Sequence, residues 1–175
     1  MKKILILLVF MVGSFSVSAQ DYLSSGYRGF AELGTRAVLS EDDFSSVAIT
    51  TIHGYQTGYA FFGGGLSIQP FIFTLDDEDY SFSETAIFGD CRLDLGKKIS
   101  PFVDTRIGCV TGDFSGFYLA QAVGVRFLRF SFSIGYEDEW FSSFELDNTS
   151  YDLEQKITMK SLMFNFTVDW GARNK

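Results

Sequence analysis

Large apolar residues alternate with small or polar ones along most of this chain. The clearest segment is Phe130–Glu137, where Phe, Phe, Ile and Tyr occupy the even positions and Ser, Ser, Gly and Glu the odd ones. Because successive side chains of a β-strand point to opposite faces, this period of two predicts strands with one apolar and one polar face. We predict eight strands, at residues 27–38, 44–56, 58–69, 83–95, 100–110, 116–127, 130–138 and 156–170.

The N-terminal residues have the three parts of a bacterial secretory signal peptide. Met1–Lys3 is basic, Ile4–Val12 is apolar, and Val17 and Ala19 place small residues before a cleavage site. The apolar run is shorter than the ~20 residues that a spanning helix needs. We therefore predict a signal peptide at 1–19 and a single exported domain at 20–175.

Composition excludes several other classes of protein. Hydrophobic residues make up 46% of the chain and aromatic residues 17%, which is too much apolar surface for a disordered chain. The net charge of −8 argues against nucleic-acid binding, because phosphates require clusters of Lys and Arg.

The predicted connections alternate between long and short. Long connections at 39–43, 70–82, 111–115 and 139–155 carry most of the acidic residues, and short ones lie at residues 57, 96–99 and 128–129. Long connections at one end and tight turns at the other are typical of outer-membrane barrels.

Residue size indicates which face lies inside the predicted barrel. Gly, Ala and Ser dominate the polar face, which suits a narrow lumen, and Lys is scarce in the strands. Aromatic residues on the apolar face predict a belt at each end, as lipid interfaces select. They are Tyr27, Tyr55 and Trp170 at the short-turn end, and Phe117 and Tyr136 at the other. We predict an apolar face toward lipid; a soluble barrel that binds an apolar ligand is the alternative.

Several short segments carry a family resemblance: Tyr27–Phe30, His53–Gln56, Phe62–Leu66, Ile99–Asp104, Gly116–Leu119 and Gly124–Arg126. In these segments the chain resembles the OmpA/OmpX-like small outer-membrane proteins of Gram-negative bacteria. The resemblance covers essentially the whole mature chain and implies an all-β, eight-stranded antiparallel up-and-down transmembrane β-barrel. Such barrels often end on an aromatic residue that the assembly machinery recognises, whereas here Gly171–Lys175 follow Trp170. Members of this group serve as structural barrels, adhesins or surface factors.

Charge predicts the register between the fourth and fifth strands. One register sets Asp90 opposite Arg106 and Arg92 opposite Asp104, whereas a shift by one position on each strand brings like charges together. We predict the first register and a luminal charge network that closes the barrel. The network is expected to include Asp90, Arg92, Asp104, Arg106 and Arg126, with Arg28, Glu32 and Asp169 as possible extensions.

The same register decides the fate of the two cysteines. It places Cys91 opposite Thr105 and Cys109 opposite Ile87. The offset between the two cysteines along the paired strands exceeds the Cα–Cα distance of under ~7 Å that a disulfide tolerates. We therefore predict free thiols.

No constellation of residues predicts catalysis, a cofactor or a metal. His53 is the only histidine, and no nucleophile and orienting acid can be placed beside it. Asp77, Asp79 and Ser81 have calcium-loop spacing, but Phe82 and Phe88 replace the required Gly and Glu. We predict that this acidic stretch is a solvated surface.

Three aromatic residues in the last predicted loop, Trp140, Phe141 and Phe144, are either a contact surface or part of the barrel rim.

The predicted function is a monomeric, non-enzymatic outer-membrane barrel with a structural or surface-contact role through its acidic and aromatic loops. Its expected partners are outer-membrane lipid, the assembly machinery and an unidentified surface or host ligand. The alternatives are a soluble periplasmic barrel with an apolar ligand and a lipid-modifying membrane enzyme that uses His53.

Overall fold

A computed structural model describes residues 25–39, 45–75, 78–95, 99–146 and 149–171, so the predicted signal peptide lies outside the described residues. The described chain forms eight antiparallel strands, as the alternation predicts. They are β1 (Gly26–Val38), β2 (Ser45–Thr57), β3 (Ala60–Leu75), β4 (Glu78–Asp94), β5 (Ile99–Gly112), β6 (Phe114–Phe127), β7 (Phe130–Leu146) and β8 (Thr149–Gly171).

The strands close into an up-and-down barrel. Each strand pairs with the next in the chain, and β8 returns to pair with β1, where Gly29 lies opposite Trp170 and Thr35 opposite Phe164. Closure removes the unpaired edges that an open sheet would leave. Within the described ranges no helix is long and apolar enough to cross a membrane.

Two of the predicted long loops are strands. The pairing of β3 with β4 continues to Leu75 opposite Glu78, and that of β7 with β8 continues to Leu146 opposite Thr149. The loop predictions at 70–82 and 139–155 are therefore wrong over most of their length. Acidic residues interrupt the apolar alternation in these segments. The strands continue there because backbone hydrogen bonding does not require alternating side chains. We call the end of the barrel that carries these two extended hairpins the hairpin end, and the opposite end the short-turn end.

Tight turns connect the strands at the short-turn end. Gly58 and Tyr59 join β2 to β3, and Gly58 has a left-handed φ of 56°. The Gln56 side-chain amide donates a hydrogen bond of 2.8 Å to the Gly58 carbonyl. This contact holds the turn against the interior of the barrel.

The register between β4 and β5 is the predicted one. Asp90 lies opposite Arg106 and Arg92 lies opposite Asp104. Cys91 consequently faces Thr105, well away from Cys109, and both thiols are free. The register and the absence of a disulfide are confirmed.

The two faces of the wall have opposite character. Large apolar side chains point outward, and Ile49 and Phe132 are 65% and 66% exposed, whereas the inward-facing Arg36 and Arg106 are each 1% exposed. A soluble barrel has the reverse arrangement, with apolar residues inside. The interior also holds an apolar cluster that includes Phe88, Tyr118 and Phe141; charged and apolar side chains therefore share the lumen.

Candidate functional site

The lumen contains more carboxyl groups than guanidinium groups. Eight buried acidic residues face the interior of the described barrel: Glu32, Glu84, Asp90, Asp94, Asp104, Glu137, Glu139 and Asp169. Five buried arginines face it as well: Arg28, Arg36, Arg92, Arg106 and Arg126. Alternation brings them inward from six of the eight strands: β1, β4, β5, β6, β7 and β8. A charge buried without a partner is costly, so the pairing of these groups decides whether the barrel is stable.

Arg106 lies at the centre of the network. Its Nη1 and Nη2 donate to the two carboxylate oxygens of Glu32 at 2.8 Å each, and Nη2 also donates to Asp104 at 2.9 Å. Asp90, the cross-strand neighbour predicted as its partner, is farther away, with 3.9 Å between Arg106 Nε and Asp90 Oδ2. The strongest partner of Arg106 therefore belongs to β1, on another side of the barrel.

Arg92 joins the charged network to the aromatic residues of the lumen. Its Nη2 donates to Asp104 at 3.0 Å, as the predicted pairing requires. The guanidinium carbon lies 4.4 Å from the ring centre of Phe30 and 4.7 Å from that of Phe102. Stacking on two rings favours arginine over lysine at this position.

A second group of charges lies near the short-turn end. Arg28 donates to Asp169, and to Gln56 at 2.7 Å. Arg126 donates to Asp94 at 3.2 Å. Arg126 therefore belongs to this group, apart from the four residues with which it was predicted. Asp94 was not predicted as a partner, although its inward position follows from the alternation of β4.

A third group lies toward the hairpin end. Arg36 donates to Glu137 at 3.1 Å and to Asn165 at 2.7 Å, and the Tyr118 hydroxyl donates to Glu137 at 3.1 Å. These four residues are not among the site residues predicted from the sequence. Their strand positions identify them as inward-facing, but nothing in the sequence brings β1, β6, β7 and β8 together at one level.

The predicted aromatic belt residues lie on the outside of the barrel. Tyr27, Tyr55, Trp170 and Phe117 are exposed, and Tyr136 is partly exposed. These positions agree with the predicted outer face; their role at a lipid interface remains a prediction.

His53 belongs to the aromatic group on the outer wall near the short-turn end. Its Nδ1 lies 2.5 Å from the Tyr27 hydroxyl, and its Nε2 lies 2.9 Å from the Thr51 hydroxyl. The Trp170 ring packs edge-on at 5.8 Å between ring centres. Both ring nitrogens therefore have local partners, an arrangement that fixes the orientation of the imidazole.

The aromatic residues predicted for the last loop lie in β7. The Phe117 and Trp140 rings pack together at 5.4 Å between centres. Phe141 is buried and packs on Phe114 at 5.1 Å. The side chain of Phe144 lies outside the described part of the chain. Phe141 is thus an interior residue and not an exposed contact, because the extended strand turns it into the lumen.

The stretch with calcium-loop spacing, which we predict binds no calcium, lies largely outside the part of the chain that the structure describes. The side chains of Asp77, Asp79 and Ser81 are not described. Among the described residues, no group of three His, Cys, Asp or Glu side chains is arranged to hold a metal ion.

Comparison with known proteins identifies similar folds only. The chain matches the crystal structure of Neisserial surface protein A (NspA) with a TM-score of 0.56 and 12% identity, over 83% of this chain and 98% of that one. It also matches the outer membrane enzyme PagL with a TM-score of 0.48 and 14% identity, over 81% and 98%. No family model and no curated protein sequence matches the chain. The likeness to NspA supports the small β-barrel fold; the OmpA/OmpX-like resemblance gains no closer family assignment.

Proposed function

We propose that this chain is a non-enzymatic β-barrel protein of the outer membrane of a Gram-negative bacterium, exported with cleavage of residues 1–19. It is a monomer in contact with outer-membrane lipid, and the outer-membrane assembly machinery inserts it. Its role is structural or one of surface contact through the hairpin end, with a surface or host molecule as the partner.

The observation that carries this proposal is the apolar outer wall around a charged interior. Leu33, Ile87, Ile107 and Phe164 lie on different strands, and each is about half exposed. In water such a surface would drive association, because soluble monomers rarely expose large contiguous apolar patches. Surrounded by lipid, the same wall is stable, since a closed barrel satisfies its backbone hydrogen bonds internally. The NspA-like fold is consistent with this environment.

The buried charges support a closed lumen. An eight-stranded barrel has an interior just wide enough for side chains, and here Arg92, Arg106 and Tyr118 occupy it. An apolar ligand would have to displace paired charges, which disfavours the alternative of a soluble ligand carrier. We expect no stable large conductance in planar lipid bilayers; a large, persistent open channel would contradict closure.

The location is tested by fractionating cells and then comparing gel mobility before and after boiling. We expect recovery in the outer-membrane fraction and a band that changes mobility on boiling, because a folded barrel resists detergent. Recovery in the soluble periplasmic fraction would instead favour the ligand-carrier alternative.

The enzyme alternative is tested at His53. We expect His53→Ala to leave outer-membrane lipid composition unchanged, since its ring nitrogens are engaged by Tyr27 and Thr51. A His53-dependent change in lipid A would support the lipid-modifying alternative. A Tyr55→Ala variant controls for disturbance of the neighbouring wall, because Tyr55 is exposed near the same end.

A further inference from the structure

Two of the eight luminal carboxyl groups, those of Glu84 and Glu139, make no ion pair with an arginine of the described barrel. Arg28, Arg36, Arg92, Arg106 and Arg126 each have a carboxylate partner, namely Asp169, Glu137, Asp104, Glu32 and Asp94 in that order. Asp90 lies 3.9 Å from Arg106. None of the ion pairs among the described side chains includes Glu84 or Glu139.

Glu84 and Glu139 are buried and meet each other across the hairpin end of the lumen. Each is 1% exposed, and neither has a hydrogen-bond partner if both are ionised. Their carboxyl groups lie close enough for a hydrogen bond between them. Two ionised carboxylates cannot make such a bond, because neither has a hydrogen to donate.

The surroundings of the pair contain polar groups and one cation, Arg36, which is already paired with Glu137. Gln69 lies directly opposite Glu84 and is 1% exposed, and both polar atoms of its side-chain amide lack partners. The charged or titratable groups that face the pair are Arg36 from β1, Asp113 between β5 and β6, Tyr118 from β6 and Glu137 from β7. Arg36 and Tyr118 are both bonded to Glu137.

We propose that Glu84 and Glu139 form a proton-binding site, a carboxyl pair that shares one proton at neutral pH and ties β4 to β7 across the hairpin end of the lumen. The shared proton supplies the missing donor and removes one of two like charges from a buried site. Two carboxyl groups in one site cannot both ionise cheaply, which is the principle behind paired catalytic aspartates. Here the pair stabilises the barrel and titrates as a unit.

Proton binding makes stability depend on pH in a defined direction. In the unfolded chain the two glutamates are separate and release their protons above an ordinary pKa of ~4.3. The folded pair keeps one proton above that pH, so the folded barrel binds more protons than the unfolded chain. Stability contributed by the pair therefore falls as the pH rises, until the pair itself ionises.

The test compares thermal unfolding of the purified barrel in detergent micelles from about pH 5 to about pH 9 for wild type and Glu139→Gln. The glutamine amide donates to Glu84 without a titrating proton. We expect the variant to gain several degrees in unfolding temperature relative to wild type as the pH rises. A temperature difference that stays constant with pH would overturn the proposal.

Two variants serve as controls. Glu137→Gln changes the same strand but removes the carboxyl partner of Arg36, so we expect a lower unfolding temperature throughout the same pH range. The side chains of residues 71–82 and 143–157 lie outside the described part of the chain, and Lys156 is the only basic residue among them. Lys156→Gln should leave the pH dependence unchanged. A pH dependence that appears only in that variant would show that Lys156 neutralises the pair in the wild type and would defeat the shared proton.

Infrared spectroscopy gives a readout that does not depend on the stability of any variant. A protonated carboxyl group has a C=O stretch that carboxylates lack. We expect this band in the wild-type barrel at neutral pH and a weaker band in Glu139→Gln. Absence of the band from the wild type would refute the shared proton directly.

Discussion

The importance of a single residue is clearest at Arg106. It is 1% exposed and contacts carboxylates from β1 and β5, so its guanidinium group holds two sides of the lumen together. The cross-strand neighbour suggested by charge alone, Asp90, contributes less because its nearest oxygen lies 3.9 Å away. Contacts across the lumen therefore outweigh contacts along the ladder for this residue.

We predict that Glu32→Gln and Asp90→Asn differ in their effect on stability. Removing one partner of a buried pair costs about 3–5 kcal/mol. Glu32→Gln should approach that loss, because Arg106 donates two hydrogen bonds to Glu32, whereas Asp90→Asn should cost much less. The measurement is reversible urea unfolding of each variant, with Arg106→Ala added to complete a double-mutant cycle. Additive losses for Arg106→Ala and Glu32→Gln would show that the two are not partners.

At the scale of the element, backbone geometry at the turns matters as much as side-chain pattern. Gly58 has a φ of 56°, and a Cβ added there would meet no atom within 4 Å. The position therefore needs glycine for its conformation alone. The extended β3–β4 and β7–β8 hairpins also show the importance of the backbone, because their strands remain paired where the apolar alternation ends.

We predict that Gly58→Ala destabilises the barrel by about 1 kcal/mol, the cost of a left-handed conformation for a residue with a Cβ. Gly64→Ala is the matched control in β3, where the nearest atom to an added Cβ is 3.5 Å away. We expect that control to be neutral or slightly stabilising, because alanine restricts the unfolded chain. Equal losses in thermal unfolding would show that the left-handed φ of Gly58 carries no cost of its own.

The whole molecule is an inverted version of a soluble protein, with charges inside and an apolar wall outside. The two faces have different requirements. The outer wall is stable only in an apolar environment, and the buried charges of the interior are stable only when they are paired. The closed sheet provides both, because every strand presents one residue inward for each residue outward.

We predict that a lysine substitution on the outer wall lowers the free energy of unfolding strongly at mid-height and only slightly at the end of the barrel. Ile134 lies in the middle of the apolar wall, and Ile99 is the first residue of β5. On a lipid-facing surface, Ile134→Lys should cost about 2–4 kcal/mol and Ile99→Lys about 0–1 kcal/mol. Unfolding from lipid vesicles measures both. Equal and small effects would show that the wall faces water.

Much of the architecture could be predicted from the sequence because it depends on local pattern. The alternation in Phe130–Glu137 identifies both a strand and its faces. The charges of Asp90, Arg92, Asp104 and Arg106 are sufficient to choose the β4–β5 register. The ends of the hairpins could not be predicted in this way, because acidic residues obscure the period while backbone pairing continues.

The sequence by itself determined the number of strands, the residues that face inward and the pairing of β4 with β5, since each follows from neighbours along or across one hairpin. Only the tertiary structure decided which luminal charges meet. Arg106 and Glu32 are 74 residues apart, and Arg36 and Glu137 are 101 apart. Their contacts depend on how closure and stagger bring distant strands to one level of the lumen. No local pattern encodes that geometry, which is also why Glu84 and Glu139 emerge as a pair only in the folded barrel.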